Sequence, residues 1–306
     1  MQTAAFVFPG QGSQKTGMLA ELGETFPIIR ETFAEASSAL DYDLWHLIQT
    51  DTDNQLSRTS ITQPAILASS VAIWRLWQQQ GGFTPALMAG HSLGEYSALV
   101  CSGAIPFSAA ITLVRKRGEY MQTAVPAGVG SMAAIVGLDD ATVITACSEA
   151  ARQQVVEAVN FNSPGQVVIA GHVEAVERAI ELCKAAGAKR ALPLPVSAPF
   201  HCSLMQPAAE AFAEDLDEVE FSAPAVPVLQ NYGLQTETDT RRIKENLVAQ
   251  IFSPVPWVGT IEGFVTRGVT LVYEIGPGKV LSGLVKRIAP DIAVLAVNDL
   301  SSLKAG

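Results

Sequence analysis

The chain has 306 residues, a formal net charge of −10, 48% hydrophobic and 16% charged residues. Such a composition buries a sizeable core in one large or two modest domains and excludes a disordered chain, while the acidic balance argues against a general nucleic-acid binder. No apolar run reaches the roughly 18 residues of a membrane span, the start Met1-Gln2-Thr3-Ala4-Ala5-Phe6 lacks the features of a secretion signal, and Cys101, Cys147, Cys183 and Cys202 lack metal or disulfide spacing, so a cytoplasmic protein without a metal is expected; a monomer is also expected, though none of these features decides it.

The apolar run Ala5-Phe6-Val7-Phe8 predicts a short buried strand, followed by the loop Pro9-Gly10-Gln11-Gly12-Ser13-Gln14. Helical patterns fill much of 17–80, and Ala86-Leu87-Met88-Ala89 predicts a second buried strand. From about Gly128 to Pro195 the pattern changes to strand (131–137), helix (140–151), strand (154–159), strand (166–170), helix (173–186) and strand (189–194). That βαββαβ order is the ferredoxin-like arrangement. Further strands are expected at 226–229, 269–275 and 293–297 among helices. Short apolar strands alternating with helices indicate an α/β fold with a mainly parallel sheet. Val125-Pro126-Ala127-Gly128 and Ser197-Ala198-Pro199 are the expected hinges. The expected organisation is therefore a discontinuous large domain, 1–127 and 198–306, carrying a small ferredoxin-like domain at 128–197, with the site in the cleft between them.

Gly90-His91-Ser92-Leu93-Gly94 matches G-x-S-x-G between an apolar strand and the helical run Glu95-Tyr96-Ser97-Ala98-Leu99-Val100. This is the setting of a nucleophile elbow, in which glycines allow a sharp turn and the following helix aims N–H groups at developing negative charge. The bland alternative is an ordinary serine in a tight turn. A serine hydroxyl needs a base, and the chain has four histidines. His46 sits in a helical segment beside Trp45, and His172 ends a strand of the small domain. His91 adjoins Ser92, and neighbours on an extended segment point apart. His201 follows Phe200 at a domain boundary, where a cleft-lining loop is expected, and is the favoured base. Its neighbour Cys202 reads as a packing residue.

Gln11 has glycine on both sides, in a loop that either lets a ligand approach the backbone or merely turns from strand to helix. It is not a dinucleotide fingerprint, because Lys15 stands at the third glycine position, nor a Walker loop, because Met18 follows Gly17. On the helix after Pro106, Arg117 lies about 60° from Val114, at the edge of an apolar stripe. A partly buried arginine needs an anion. That partner is either an internal carboxylate or a carboxylate of the substrate.

Six segments in order, Phe8-Pro9-Gly10-Gln11-Gly12-Ser13-Gln14, Gly90-His91-Ser92-Leu93-Gly94-Glu95-Tyr96, Arg117-Gly118, Asn160-Phe161-Asn162-Ser163-Pro164-Gly165-Gln166, Phe200-His201 and Glu274-Ile275-Gly276-Pro277-Gly278, together resemble the bacterial malonyl-CoA:acyl carrier protein transacylases over nearly the whole chain. The resemblance implies an α/β-hydrolase-like large domain with an inserted ferredoxin-like domain. It implies malonyl transfer from malonyl-CoA to acyl carrier protein through a malonyl ester on Ser92, with no bound cofactor. His201 would be the general base, oriented by the main-chain carbonyl at Gln250 in place of an acid. Gln11 and the Leu93 N–H would form the oxyanion hole, and Arg117 would hold the malonyl carboxylate. Asn160, Asn162 and Asn231 fall in segments near the family's site, and Phe200 matches a phenylalanine that goes with malonyl selectivity in related polyketide acyltransferases.

Carrier proteins of this kind are themselves acidic, and two acidic proteins repel at long range. Lys189-Arg190 and Lys286-Arg287 are either a local docking patch or ordinary solvated surface. The competing readings are a serine hydrolase or thioesterase, a transferase for another acyl unit such as acetyl or methylmalonyl, and an inert binding module. An α/β-hydrolase usually places an Asp or Glu between its serine and histidine, and none is identifiable here.

Overall fold

The computed structural model describes residues 3–196 and 198–303; Ser197, part of the second expected hinge, lies outside the described residues. Strand β1 (Ala4–Phe8) is followed by helices α1 (Ala20–Thr25), α2 (Pro27–Leu40), α3 (Leu44–Thr50) and α4 (Thr59–Gln79). Then come β2 (Leu87–Gly90), α5 (Gly94–Cys101) and α6 (Phe107–Thr123). The middle of the chain forms β3 (Gly130–Val136), α7 (Asp140–Ala151), β4 (Val156–Ser163), β5 (Gln166–His172), α8 (Val173–Ala185) and β6 (Arg190–Pro193). The chain continues through α9 (Gln206–Asp217), β7 (Val228–Leu229), α10 (Thr240–Ile251), α11 (Trp257–Thr266), β8 (Leu271–Ile275), α12 (Val280–Ile288), β9 (Ala293–Val297) and α13 (Leu300–Leu303).

β1 lies at the centre of a five-stranded sheet of order β7-β2-β1-β8-β9, and every pairing in it is parallel. Parallel neighbours need long crossovers, and the intervening helices cover both faces of the sheet. Phe6 and Phe8 enter the cluster built with α2 and α4, whereas Ala5 and Val7 enter the one built with α11 and α12. This burial on both sides is why β1 is an unbroken apolar run instead of an alternating one. The loops after β1, β2 and β7 all leave the carboxyl edge of the sheet, where open α/β sheets bind ligands.

The middle segment forms a separate antiparallel sheet of order β4-β5-β3-β6, the order of the ferredoxin-like arrangement. One face, with Ala133, Ile135, Val167 and Ile169, packs under α7 and α8; the other sends Met132, Val168 and Ala170 into the core of the larger body. The expected strand 154–159 starts and ends later, as β4. Register shifts at Ala158/Asn160 and Phe161/Ser163 carry it onward. The Phe161 N–H donates to the Val255 carbonyl and the Val255 N–H to the Val159 carbonyl, a tertiary pairing that local periodicity does not reveal. The strand expected at 226–229 shrinks to two residues, with Pro227 contributing only its carbonyl, to the Met88 N–H. Among the described residues no helix is long and apolar enough to cross a membrane.

Candidate active site

β2 ends at Gly90 and α5 begins at Gly94, so three residues reverse the chain, with Ser92 at the left-handed φ of 50°. A non-glycine residue is strained there, and such strain gathers at functional sites. Only glycine fits on either side of the turn. A Cβ on Gly90 would stand 1.8 Å from the Gly94 carbonyl carbon, and one on Gly94 would stand 2.0 Å from the Phe8 oxygen. The Ser92 N–H donates to Asn231 Oδ1 (2.8 Å), and Asn231 Nδ2 donates to the Gly90 carbonyl (2.7 Å). Asn231 thus braces the elbow from the loop after β7. The Leu93 N–H, at the start of α5, has no acceptor among the described residues.

His201 also has a positive φ, 65°, and this turn brings its ring to the serine. Its Nε2 lies 2.7 Å from Ser92 Oγ, and its Nδ1 lies 2.9 Å from the Gln250 main-chain oxygen at the end of α10. A carbonyl can only accept, so Nδ1 carries the hydrogen and Nε2 keeps its lone pair for the serine. Burial, and next the charge of Arg117, push the His201 pKa down from 6.5 to about 3. The imidazole is therefore neutral at ordinary pH, the state a general base requires.

His91 turns away from Ser92, as expected, but the reason differs. The residues do not diverge along an extended strand; the left-handed turn at Ser92 separates them. His91 Nε2 instead meets Asn162 Oδ1 at 2.8 Å, and its ring lies 5.4 Å from that of Trp257. Burial lowers its pKa as well. His172 Nδ1 accepts from the Val155 N–H, and the buried Cys202 thiol donates to the Pro199 carbonyl. Both are structural.

Arg117 is 1% exposed, well inside the stripe whose edge it was expected to occupy. Its neighbour Gly118 makes this possible: a Cβ there would lie 2.7 Å from Ser60 Cα and the Thr59 carbonyl oxygen, so α6 and α4 meet backbone to backbone. The guanidinium then donates to Gln63 Oε1 (2.9 Å), Gln250 Oε1 (2.9 Å) and Ser92 Oγ (3.2 Å), and sits 5.3 Å from the Tyr96 ring centroid. Its Nε has no hydrogen-bond partner. No carboxylate of the described residues is within ion-pair distance of it. Its hydrogen bonds all go to neutral oxygens, and the Glu95 carboxylate acts on its charge only from beyond ion-pair distance.

The loop carrying Gln11 lies directly against the elbow, because a Cβ on Gly10 would meet the His91 oxygen at 2.5 Å; Gln11 itself is exposed. Phe200 is buried next to His201. Asn160 is buried in a row of the small sheet with Val168, Ala134 and Leu192, on the face away from α7 and α8. Asn162 and Asn231, expected only to lie near the site, spend their amides on the elbow and on His91. Sequence reasoning missed Gln63, Gln230 and Glu95. Each is a polar side chain in or beside an otherwise apolar buried segment, and that was the available signal. Among the described residues no group of three or more His, Cys, Asp and Glu side chains is placed to hold a metal ion.

A strained serine with an imidazole on its hydroxyl and a buried guanidinium beside it suits, on this parallel sheet, serine-dependent acyl chemistry. The chain belongs to the acyl transferase domain family, whose model matches residues 5–287. It is 59% identical over 305 residues to the malonyl CoA-acyl carrier protein transacylase of Salmonella typhimurium, covering 100% of this chain and 99% of that protein. It is 45% identical to the Bacillus subtilis protein of the same name, covering 99% and 96%. The crystal structure of an acyl carrier protein S-malonyltransferase from Vibrio cholerae superposes with a TM-score of 0.97 at 57% identity over 99% of each chain. A malonyl-transacylase solved in complex with its type II polyketide synthase acyl carrier protein gives 0.98 at 56% identity, over 99% of this chain and 98% of that one.

Proposed function

We propose that this chain transfers the malonyl group of malonyl-CoA to the phosphopantetheine thiol of an acyl carrier protein, in fatty acid biosynthesis, through a malonyl ester on Ser92. The observation that carries this reading is Arg117, buried, without a carboxylate partner, and 3.2 Å from Ser92 Oγ. A guanidinium in that state matches an acyl group ending in a carboxylate, which it can hold through two parallel hydrogen bonds.

In the first half-reaction His201 Nε2 takes the Ser92 proton as Oγ attacks the thioester carbonyl. The tetrahedral oxyanion is held by the Leu93 N–H and the Gln11 loop. The carbon–sulfur bond breaks, His201 returns the proton to the departing thiolate, and coenzyme A leaves. In the second half-reaction the carrier thiol gives its proton to His201 and attacks the ester, and Ser92 is released with that proton. The Gln250 carbonyl keeps the imidazole in the required tautomer throughout, in place of the acid of a hydrolase triad. In this reading Asn160 and Phe200 contact the acyl group, while Asn162 braces His91 and Asn231 braces the elbow. The proposed division is a discontinuous large domain, 1–127 and 198–306, and a small one, 128–197. The protein acts as a cytoplasmic monomer.

The decisive experiment is intact-protein mass after mixing with malonyl-CoA, and again after adding holo carrier protein. A malonyl adduct that moves to the carrier is the expected result. An adduct that never forms, or that is lost to water equally fast without the carrier, would replace this reading by a thioesterase.

Two further outcomes follow. Because the His201 pKa lies below its ordinary value, the basic form persists as pH falls. The acid limb of kcat/KM for malonyl-CoA should therefore lie below about pH 5, not near the roughly 6.5 of a free histidine; a limb near 6.5 would contradict the neutral buried base. Docking is the second. Arg190 and Gln166 both lie opposite Val136, and the Arg287 guanidinium donates to Gln166 Oε1 (2.7 Å), so the two exposed basic pairs meet at one end of the small sheet. Charge reversal at Lys189-Arg190 or at Lys286-Arg287 should raise KM for the carrier several-fold, leave KM for malonyl-CoA unchanged, and weaken in high salt. An unchanged carrier KM would reject that pair.

A further inference from the structure

Three residues past the nucleophile, on the first turn of α5, Glu95 is 0% exposed. A carboxylate sealed this way is costly unless its oxygens are fully bonded. They are. Oε1 accepts from Gln230 Nε2 (3.1 Å), and Oε2 accepts from the Asn231 N–H (2.8 Å) and from Gln250 Nε2 (2.8 Å). Burial raises its pKa above the usual carboxylate range, and these bonds and Arg117 oppose the rise without cancelling it, so it is the geometry of its donors that favours the charged form. All three neighbours are donors, so the carboxylate form fits this pocket and a carboxylic O–H would find no acceptor among them. The start of α5 is also the end of a helix that favours negative charge.

The two residues that Glu95 grips from α10 and the loop after β7 are the ones that reach the reacting groups. Asn231 accepts the Ser92 N–H and donates to the Gly90 carbonyl. Gln250 donates its amide to the Ser92 carbonyl (3.2 Å), presents its amide oxygen to Arg117 and its main-chain oxygen to His201. An amide has one donor end and one acceptor end. A carboxylate on one side and a guanidinium on the other permit a single orientation of the Gln250 side chain. That orientation also interposes a neutral group between Glu95 and Arg117, so the buried anion does not occupy the cation that faces the serine.

We infer that Glu95 is a positioning residue for the proposed acyl transfer: its carboxylate sets Asn231 and the Gln250 amide, and through them the Ser92 backbone, the His201 acceptor carbonyl and the open face of Arg117. The inference rests on the function proposed above. Nothing in it requires Glu95 to touch the substrate.

The test uses the full chain with Glu95→Gln, which keeps shape and removes the all-acceptor character, and Gln250→Met, which keeps the main-chain carbonyl and removes the amide. Single-turnover acylation of Ser92 by malonyl-CoA is followed by intact mass, with folded fraction and Tm measured alongside. Each variant should acylate roughly 10- to 100-fold more slowly at saturating malonyl-CoA, because the reacting groups lose their alignment. The double variant should be no slower than the slower single one, since both cut the same link. The His201 Nδ1 proton resonance should shift in Glu95→Gln. Acylation within about twofold of wild type in folded Glu95→Gln, or losses that multiply in the double variant, would overturn the inference. If Glu95→Gln does not fold, Gln250→Met decides: a rate within about twofold of wild type overturns it equally. Wild type run in parallel separates the two levels, since a missing adduct there would sink the function reading itself.

Discussion

With Ser92 replaced by alanine, no malonyl adduct should form and transfer to the carrier should fall to background. His201→Ala should slow acylation by roughly 100- to 10,000-fold, the usual worth of a general base in contact with its nucleophile. The expectation is strong because the two atoms are 2.7 Å apart, the imidazole is neutral, and the Gln250 carbonyl leaves Nε2 only one role. Removing either partner leaves the other in place, so the losses should overlap and not multiply. Both substitutions shorten a side chain without altering the elbow glycines, and the folded fraction should stay high. A His201→Ala protein that still acylates at near wild-type rate would mean that the base is some other group, and the neutral-imidazole route would fail with it.

Arg117→Ala should separate malonyl from neutral acyl groups. The guanidinium has no internal carboxylate partner, so what it would contribute is binding of the substrate carboxylate through charge-assisted hydrogen bonds, about 2–4 kcal/mol. Malonyl transfer should therefore drop roughly 30- to 1,000-fold in kcat/KM, at about 1.4 kcal/mol per factor of ten. Acetyl transfer should fall far less or rise, because a neutral acyl group gains nothing from an unpaired cation and the cavity becomes less polar. Competition between malonyl-CoA and acetyl-CoA, read as the ratio of the two adducts on Ser92, measures this in one experiment. Equal losses for both donors would show that Arg117 supports the elbow without reading the carboxylate. The neighbouring Gly118 sharpens the point: the close approach of α6 to α4 places Gln63 on the guanidinium, so Gly118→Ala should disturb the same ratio through packing alone.

Much of this site is written locally in the chain. The run Ala5 to Phe8, the elbow Gly90 to Gly94 and the βαββαβ order from Gly130 to Pro193 are patterns of short range, because strand burial, tight turns and helix periodicity depend on neighbouring residues. Ser92 and the helix after it follow from glycines that nothing larger could replace. Among the four histidines only His201 stands at a domain boundary, while Gln250 and the role of Arg117 are legible only through the family resemblance. Tertiary structure decided the remainder. Local sequence has no means of telling that Arg117 would be fully buried among neutral oxygens, that Asn231 and Asn162 would turn to the elbow and His91, or that Glu95 would anchor Gln250 across 155 positions of chain. β4 likewise runs past its expected end through a bulged pairing with β5 and through Val255, nearly a hundred residues later, which bonds to its other edge. The physical reason is the same in each case. A buried polar atom must find a partner wherever the fold brings one, and the choice of partner is made by long-range packing, not by the residues on either side.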